Sequence, residues 1–325
     1  MVQNQTVVQH LQEKDAQVHD LQQRLSEVTQ QLSDISREKD AQIQHLLQRL
    51  STTLPRTCSQ EIEFWRVSAE EVQVDQGVLG RGAWGYVTRG IFRGQQVAIK
   101  KVHPYILKPH TVNRIHREIS TMAQVRHPNL VLFIAAVLDD RTGPMIITEI
   151  LDTSLRTAYE ENQLGSNKLC IFQNVASALN YLHLHREPII HRDVSTANVL
   201  LEAVANNVWK AKLSDFGSAN LVRFATTPAE GAIIYTAPEA FPQHPDSPTP
   251  PSPQTPKIDV YSYGVLVGEV VTQELPDPDK LQEMVQQVWR QWPQIHPLVT
   301  AAIKYRPDNR PTMAYILEEL EKLTP

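Results

Sequence analysis

The first 53 residues contain no Gly, Pro, Trp, Phe or Tyr. Without aromatic residues such a stretch has little with which to fill a globular core. Its dominance by Gln, Leu, Glu, Asp, Ser, Lys and Arg is a bias toward straight-chain helix formers. The apolar positions alternate at spacings of three and four: Val7, Leu11, Val18, Leu21, Leu25, Val28, Leu32 and Ile35, with Lys14 as one polar interruption. That is a heptad seam. The phase fails at Lys39 and Gln42 and resumes at Ile43, Leu46 and Leu50, eleven residues on from Leu32, as a four-residue stutter produces. EKDAQVHDLQQRL from Glu13 recurs as EKDAQIQHLLQRL from Glu38, which supports one continuous element. Residues 1–53 are therefore expected to form a long coiled-coil helix of about 75 Å, with a parallel homodimer as the simplest product. The competing reading is a solvated helix or a Gln-rich arm. Pro55 ends the pattern, and residues 54–71 read as a linker.

The remainder is long enough to bury a full core, since the 325 residues are 41% hydrophobic. Charge excludes several partners. The net −5 has no basic footprint for nucleic acid and no polybasic patch for an anionic membrane. Residues 1–71 carry 7 basic and 11 acidic groups, so the excess belongs mostly to the arm and linker. Two cysteines, Cys58 and Cys170, make no disulfide framework and no zinc spacing. No apolar run approaches the roughly 20 residues of a membrane span. A reducing, cytoplasmic setting is the expectation.

From Val72 the pattern changes to glycine-punctuated alternation. LGRGAWGYV places Gly80, Gly82 and Gly85 in a GxGxxG, which alone is weak because unrelated nucleotide folds share it. Here two β-patterned runs follow, broken at Gly94, so the glycines are expected at a tip between antiparallel strands rather than at a helix start. Glycines there let backbone N–H groups approach phosphate oxygens, and Val87 on the returning strand can cover an adenine ring. Lys100 ends the next strand. Glu118 lies in a helix-compatible segment that can bring a carboxylate to it. Further on, Asp193 and Asn198 follow Ile189-Ile190-His191-Arg192, and Asp215 follows a strand-like Val-Trp-Lys-Ala-Lys-Leu. One Asp near a hydroxyl, with Asn and Asp oxygens for hard cations, suits phosphoryl transfer to an alcohol.

In this order the motifs resemble the protein kinase family over about residues 72–323: the Gly-rich loop, Ala98-Ile99-Lys100, Glu118, His191-Arg192-Asp193 with Asn198, Asp215-Phe216-Gly217, Ala237-Pro238-Glu239, Asp259 and Arg310. The resemblance implies an α+β, bilobal protein kinase fold. Its small lobe, about 72–147, would hold antiparallel strands and one helix; its hinge would be 149–151; and its mainly helical large lobe would run over 152–323. It implies ATP and Mg²⁺, with Asn198 and Asp215 as metal ligands. Asp193 would take or orient the hydroxyl proton, and Lys100 and Glu118 would form an ion pair. Leu79, Val87, Ala98 and Leu200 would sandwich adenine, with Thr148 as gatekeeper and Glu149 to Leu151 as hinge. Glu239 would pair with Arg310, and Asp259 would anchor the catalytic loop.

Two departures bear on substrate class. The lysine that the family's serine/threonine members place two residues after the catalytic Asp is Ser195 here, and Ala197 fails to supply the arginine of tyrosine kinases. Gly231-Ala232 stands where those members have Gly-Thr. Tyr235-Thr236-Ala237-Pro238-Glu239 and DVYSYGV lean toward the tyrosine-kinase-like group, which is mostly serine/threonine-specific. The expectation is a protein kinase acting on Ser/Thr of a protein substrate. The alternatives are a pseudokinase scaffold, or a tyrosine or dual-specificity enzyme. Ser218, Thr226 and Thr227 are candidate regulatory phosphosites, and the Pro-rich insertion 243–256 is expected as a polyproline-like surface loop.

Overall fold

The computed structural model describes residues 64–82, 85–103, 115, 119–120, 122–139, 143–186, 188–205, 208–215, 234–240 and 255–323. All belong to one compact unit, Phe64–Pro325. The coiled coil of 1–53, Glu118, the candidate phosphosites, Gly231-Ala232 and residues 243–254 of the Pro-rich insertion lie outside the described residues.

Five strands form the first sheet: β1 (Val72–Gly82), β2 (Gly85–Phe92), β3 (Gln95–Val102), β4 (Phe133–Val137) and β5 (Met145–Thr148), in the order β1-β2-β3-β5-β4. Every neighbour pair is antiparallel. The β2–β3 turn is the two-residue Arg93-Gly94, with φ of 49° and 81°. Positive φ at both positions gives a turn whose twist matches that of the strands, and glycine removes the steric cost at the second. Along β3, Val97 and Ile99 are buried while Ala98 and Lys100 stay partly exposed, the period-2 signature of two distinct faces. Val97 and Ile99 join Phe92, Ala135, Val137, Met145 and Ile147 in a small core on one side.

Residues 64–71, the last part of the segment read as a linker, are packed onto this sheet. Val67 N–H donates to Ala136 O at 3.0 Å, and Ala136 N–H to Trp65 O at 2.8 Å. Trp65 is buried, edge-on to Phe133 with ring centroids 6.3 Å apart. Ser68 caps the short 3-10 turn Ala69–Glu71 with a full capping box. The buried indole and the strap of backbone bonds explain why these residues do not behave as a spacer. Their signal in the sequence was the pair Phe64-Trp65, of which only Trp65 is buried.

The larger lobe contains a second sheet, β6 (Thr153–Ser154), β7 (Val199–Ala205) and β8 (Val208–Leu213), and six helices among the described residues: α1 (Leu155–Glu160), α2 (Lys168–His183), α3 (Lys257–Thr272), α4 (Leu281–Gln291), α5 (His296–Ala302) and α6 (Met313–Glu321). In α2 the buried residues Ile171, Phe172, Val175, Ala178, Leu179 and Leu182 fall at helical spacing, so one face packs and the other meets solvent. By contrast α3 is buried all round from Ile258 to Thr272, so it is the axis on which the lobe is built. A small antiparallel-sheet lobe and a mainly helical lobe therefore form the observed architecture. Among the described residues no helix is long and apolar enough to cross a membrane.

Candidate active site

The strand register gathers the expected nucleotide-facing residues of the first sheet on one surface. Residues directly opposite in antiparallel strands point to the same side. Gly80 pairs Val87, Val87 pairs Lys100, and Ala98 pairs Thr148. Period 2 then adds Ala98 to Lys100, so Gly80, Val87, Ala98, Lys100 and Thr148 share a face opposite Val97 and Ile99. Leu79 falls at a register shift between Val78 and Gly80 and is 43% exposed. Gly82 pairs Gly85 at the end of the hairpin. A Cβ on Gly85 would lie 1.9 Å from Lys101 O, so only glycine lets the loop's returning strand sit this close to β3.

On the second sheet, Val199, Leu201, Ala211 and Leu213 are fully buried, while Leu200 lies on the opposite face and stays partly exposed. The chain linking the lobes is held at both ends: Glu149 N–H donates to Leu132 O at 3.1 Å, and Asp152 N–H to Leu201 O at 3.0 Å. Thr148 Oγ1 donates to Glu149 O at 3.2 Å. The Glu149 carboxylate turns away to accept Leu132 N–H at 2.8 Å.

Asp259, fully buried in the first turn of α3, shapes the catalytic loop. Its carboxylate accepts His191 N–H at 2.8 Å and Arg192 N–H at 2.7 Å, and lies 2.8 Å from His183 Nε2. Arg192 adopts φ of 69°, a conformation that costs of order 1–3 kcal/mol and persists only where surrounding bonds impose it. The two amide bonds to Asp259 do so. His191 Nε2 lies 2.9 Å from Ser214 O, and Asp193 N–H donates to His191 Nδ1 at 3.3 Å. One neutral tautomer, protonated at Nε2, satisfies both. Burial, which lowers the His191 pKa, favours that uncharged form.

Asn198 Nδ2 donates to Asp193 O at 2.8 Å, while Asn198 O accepts both Ser214 N–H at 2.8 Å and Ser214 Oγ at 2.7 Å. The catalytic loop is thus stitched to the residue before Asp215. Burial pushes the Asp193 carboxyl above its usual range, and Asp215 adds to the rise while the Asn198 amide and Lys100 pull it back. Asp215, at φ of 57°, meets Lys100 Nζ at 2.8 Å. Among the described residues, then, Lys100 is paired with Asp215; its expected partner Glu118 lies outside them. Ser195 is 5% exposed and brings no cation to the loop.

One cluster escaped the sequence reading. Glu269, on α3, is fully buried, and it accepts Tyr159 OH at 2.6 Å, Thr196 Oγ1 at 2.9 Å, Arg156 Nη2 at 3.2 Å and the Tyr235 hydroxyl. Arg156 Nη2 also reaches Tyr235 OH at 2.7 Å, and Arg156 N–H donates to Thr196 O at 3.1 Å. Burial first, and Glu269 next, push both phenols up, so they stay protonated donors. The network joins the catalytic loop to the segment before Glu239. Its one signal was a carboxylate in the apolar run Val265 to Val271. Nearby, Arg310 grips Glu239 through two bonds of 2.6 and 2.8 Å.

Sequence comparison agrees with this geometry. The family described as "Protein kinase domain" matches residues 73–322. The "Probable serine/threonine-protein kinase drkD" of Dictyostelium discoideum is 31% identical over 65% of this chain and 16% of that protein. The "Dual specificity protein kinase shkB" of the same organism is 30% identical over 67% and 33%. The "Mitogen-activated protein kinase kinase kinase 13-A" of Xenopus laevis is 32% identical over 68% and 21%. The chain spans a third or less of each of these relatives. With the motif order, the two-lobed fold and a family match over more than half its length, the chain belongs to the protein kinase domain family.

Proposed function

We propose that this chain is an active protein kinase of the tyrosine-kinase-like group that transfers the ATP γ-phosphate to Ser/Thr hydroxyls of a protein substrate. The observation that carries the reading is the convergence of Asp193, Asn198, Asp215 and Lys100 through the bonds of Asn198 to Asp193 and Ser214 and the Lys100–Asp215 ion pair. Serine/threonine kinases among the relatives favour Ser/Thr. Leu79, Val87, Ala98 and Leu200 enclose the adenine, Thr148 stands as gatekeeper, and the Glu149–Leu151 backbone meets its edge. Gly80, Gly82 and Gly85 give phosphate oxygens access to backbone N–H groups.

The donor set fits Mg²⁺. Asn198 commits its amide nitrogen to Asp193, which leaves the amide oxygen, and Asp215 supplies a carboxylate. Two hard oxygen ligands, completed by phosphates and water, are what this ion takes in such sites. When bound, it neutralises charge on the ATP phosphates. Lys100 steadies Asp215 and the α- and β-phosphates. Asp193 orients the acceptor hydroxyl and takes its proton as the oxygen bonds to the γ-phosphorus and ADP leaves. Ser195 in place of a lysine slows the step, by about 3–4 kcal/mol if it compares with a lost oxyanion donor, without removing it.

Phosphoamino-acid analysis of acceptor proteins labelled by the purified chain should yield phosphoserine and phosphothreonine; phosphotyrosine alone would overturn the Ser/Thr assignment. Because burial raises the Asp193 pKa and only the ionised carboxylate accepts a proton, kcat/KM should fall as pH drops through a value above the ordinary aspartate pKa of about 3.9. An acid limb at or below that range would show that burial does not govern this group. The heptad seam further supports a parallel homodimer through residues 1–53. Light scattering of the full chain tests that arrangement, and a monomer at all concentrations would refute it.

A further inference from the structure

Lys212 sits on β8, three residues before Asp215, directly opposite Leu200 on β7. Its chain neighbours Ala211 and Leu213 are fully buried in the large-lobe core, so strand alternation turns Lys212 to the other face, beside Leu200 and Glu202. The side chain is only 10% exposed, and Nζ lies 2.6 Å from Glu149 Oε2 and 3.2 Å from Glu202 Oε2. Glu149 is the first hinge residue, and its other oxygen accepts Leu132 N–H at 2.8 Å. One carboxylate is therefore gripped from the start of β4 on one side and from β8 on the other. Burial by itself would lower the Lys212 pKa; the two carboxylates reverse this and raise it, so the ammonium stays charged across the neutral range.

We propose that Lys212 is a positioning residue for nucleotide binding: through Glu149 it fixes the hinge peptide relative to the strand that delivers Asp215, so that the adenine and phosphate ends of one ATP are met together. The proposal rests on the reading of this cleft as an ATP site. Lys212 needs no contact with the nucleotide; its effect passes through a charged bond whose far end is the hinge. Removing the ammonium leaves the Glu149 carboxylate with Leu132 N–H and loosens the first hinge residue against β8, while the far end stays held by Asp152 N–H on Leu201 O.

The test uses the full-length chain, with binding of the non-hydrolysable analogue Mg·AMP-PNP and of adenosine measured by calorimetry beside steady-state kinetics. Lys212→Met should weaken both ligands about tenfold and raise KM for ATP to a similar degree, with kcat and KM for the acceptor protein changed less than about twofold. Lys212→Arg, which retains the charge, should recover most of the loss. Glu149→Gln should weaken the same ligands in the same direction. In that background Lys212→Met should add less than about twofold, because both changes break one bond. Should Lys212→Met fail to fold, the Glu149→Gln and Lys212→Arg measurements still decide. Wild-type affinity in Lys212→Met or Glu149→Gln, or a fall in kcat with KM for ATP unchanged, would overturn the proposal. Failure of the wild-type chain to bind AMP-PNP would instead overturn the ATP site on which it rests.

Discussion

Asp193→Asn is expected to reduce phosphoryl transfer by about 10²–10⁴-fold, the range that a positioned general base contributes. Nucleotide affinity should be nearly unchanged, since the role proposed for Asp193 is toward the acceptor hydroxyl rather than adenine. The substitution is nearly isosteric, and the bond from Asn198 Nδ2 goes to the Asp193 backbone carbonyl, which the variant keeps. The loop should stay formed, still held by the His191 and Arg192 amides on Asp259. Single-turnover measurements with saturating Mg·ATP separate the chemical step from product release. Transfer within a few-fold of wild type would remove Asp193 from the role of base.

Arg310→Ala should destabilise the large lobe by about 3–5 kcal/mol, the cost of breaking a buried ion pair from one side. The Arg310 side chain is fully buried and Glu239 is 9% exposed. Besides both Glu239 oxygens, Arg310 supplies donors to Lys304 O at 2.7 Å, Lys257 O at 2.9 Å and Tyr305 O at 2.9 Å. Its guanidinium also lies 4.9 Å from the Tyr261 ring. Alanine therefore removes these donors from one carboxylate and three carbonyls. Pairing Arg310→Met with Glu239→Leu should recover only part of the loss, because the buried charge goes but the Arg310 donors to the carbonyls are not restored. Urea denaturation reports the change; a loss below about 1 kcal/mol would mean that water replaces the guanidinium at little cost.

How far the sequence could be read depended on the range over which each feature acts. The Gly-rich hairpin, Lys100, Asp193, Asn198 and Asp215 were visible because each sits in a short run whose local pattern names its element, and their order along the chain is itself a signature. Strand alternation puts Ala98 and Lys100 on one face of β3, and only the register of the folded sheet adds Val87 from β2. Glu269 was not visible in the same way. Its partners Arg156, Tyr159 and Thr196 lie 113, 110 and 73 positions away, and nothing in one sequence reports such pairings. Trp65 was passed over for a related reason: the pair Phe64-Trp65 in a stretch without periodicity does not announce the Ala136 backbone groups that bind Trp65 O and Val67 N–H. Lys212 reads locally as a solvated strand residue, and only the approach of the hinge makes it a buried cation.

The central claim is turnover by a site that lacks the usual lysine after its catalytic aspartate, and it is tested most directly by transfer of labelled γ-phosphate from Mg·ATP to generic acceptor proteins. The purified full-length chain is compared with Asp193→Asn in the same preparation. The structure predicts incorporation that rises with time in the wild type and is nearly lost in the variant. No incorporation by the wild type, or equal incorporation by both, would contradict the assignment of an active kinase.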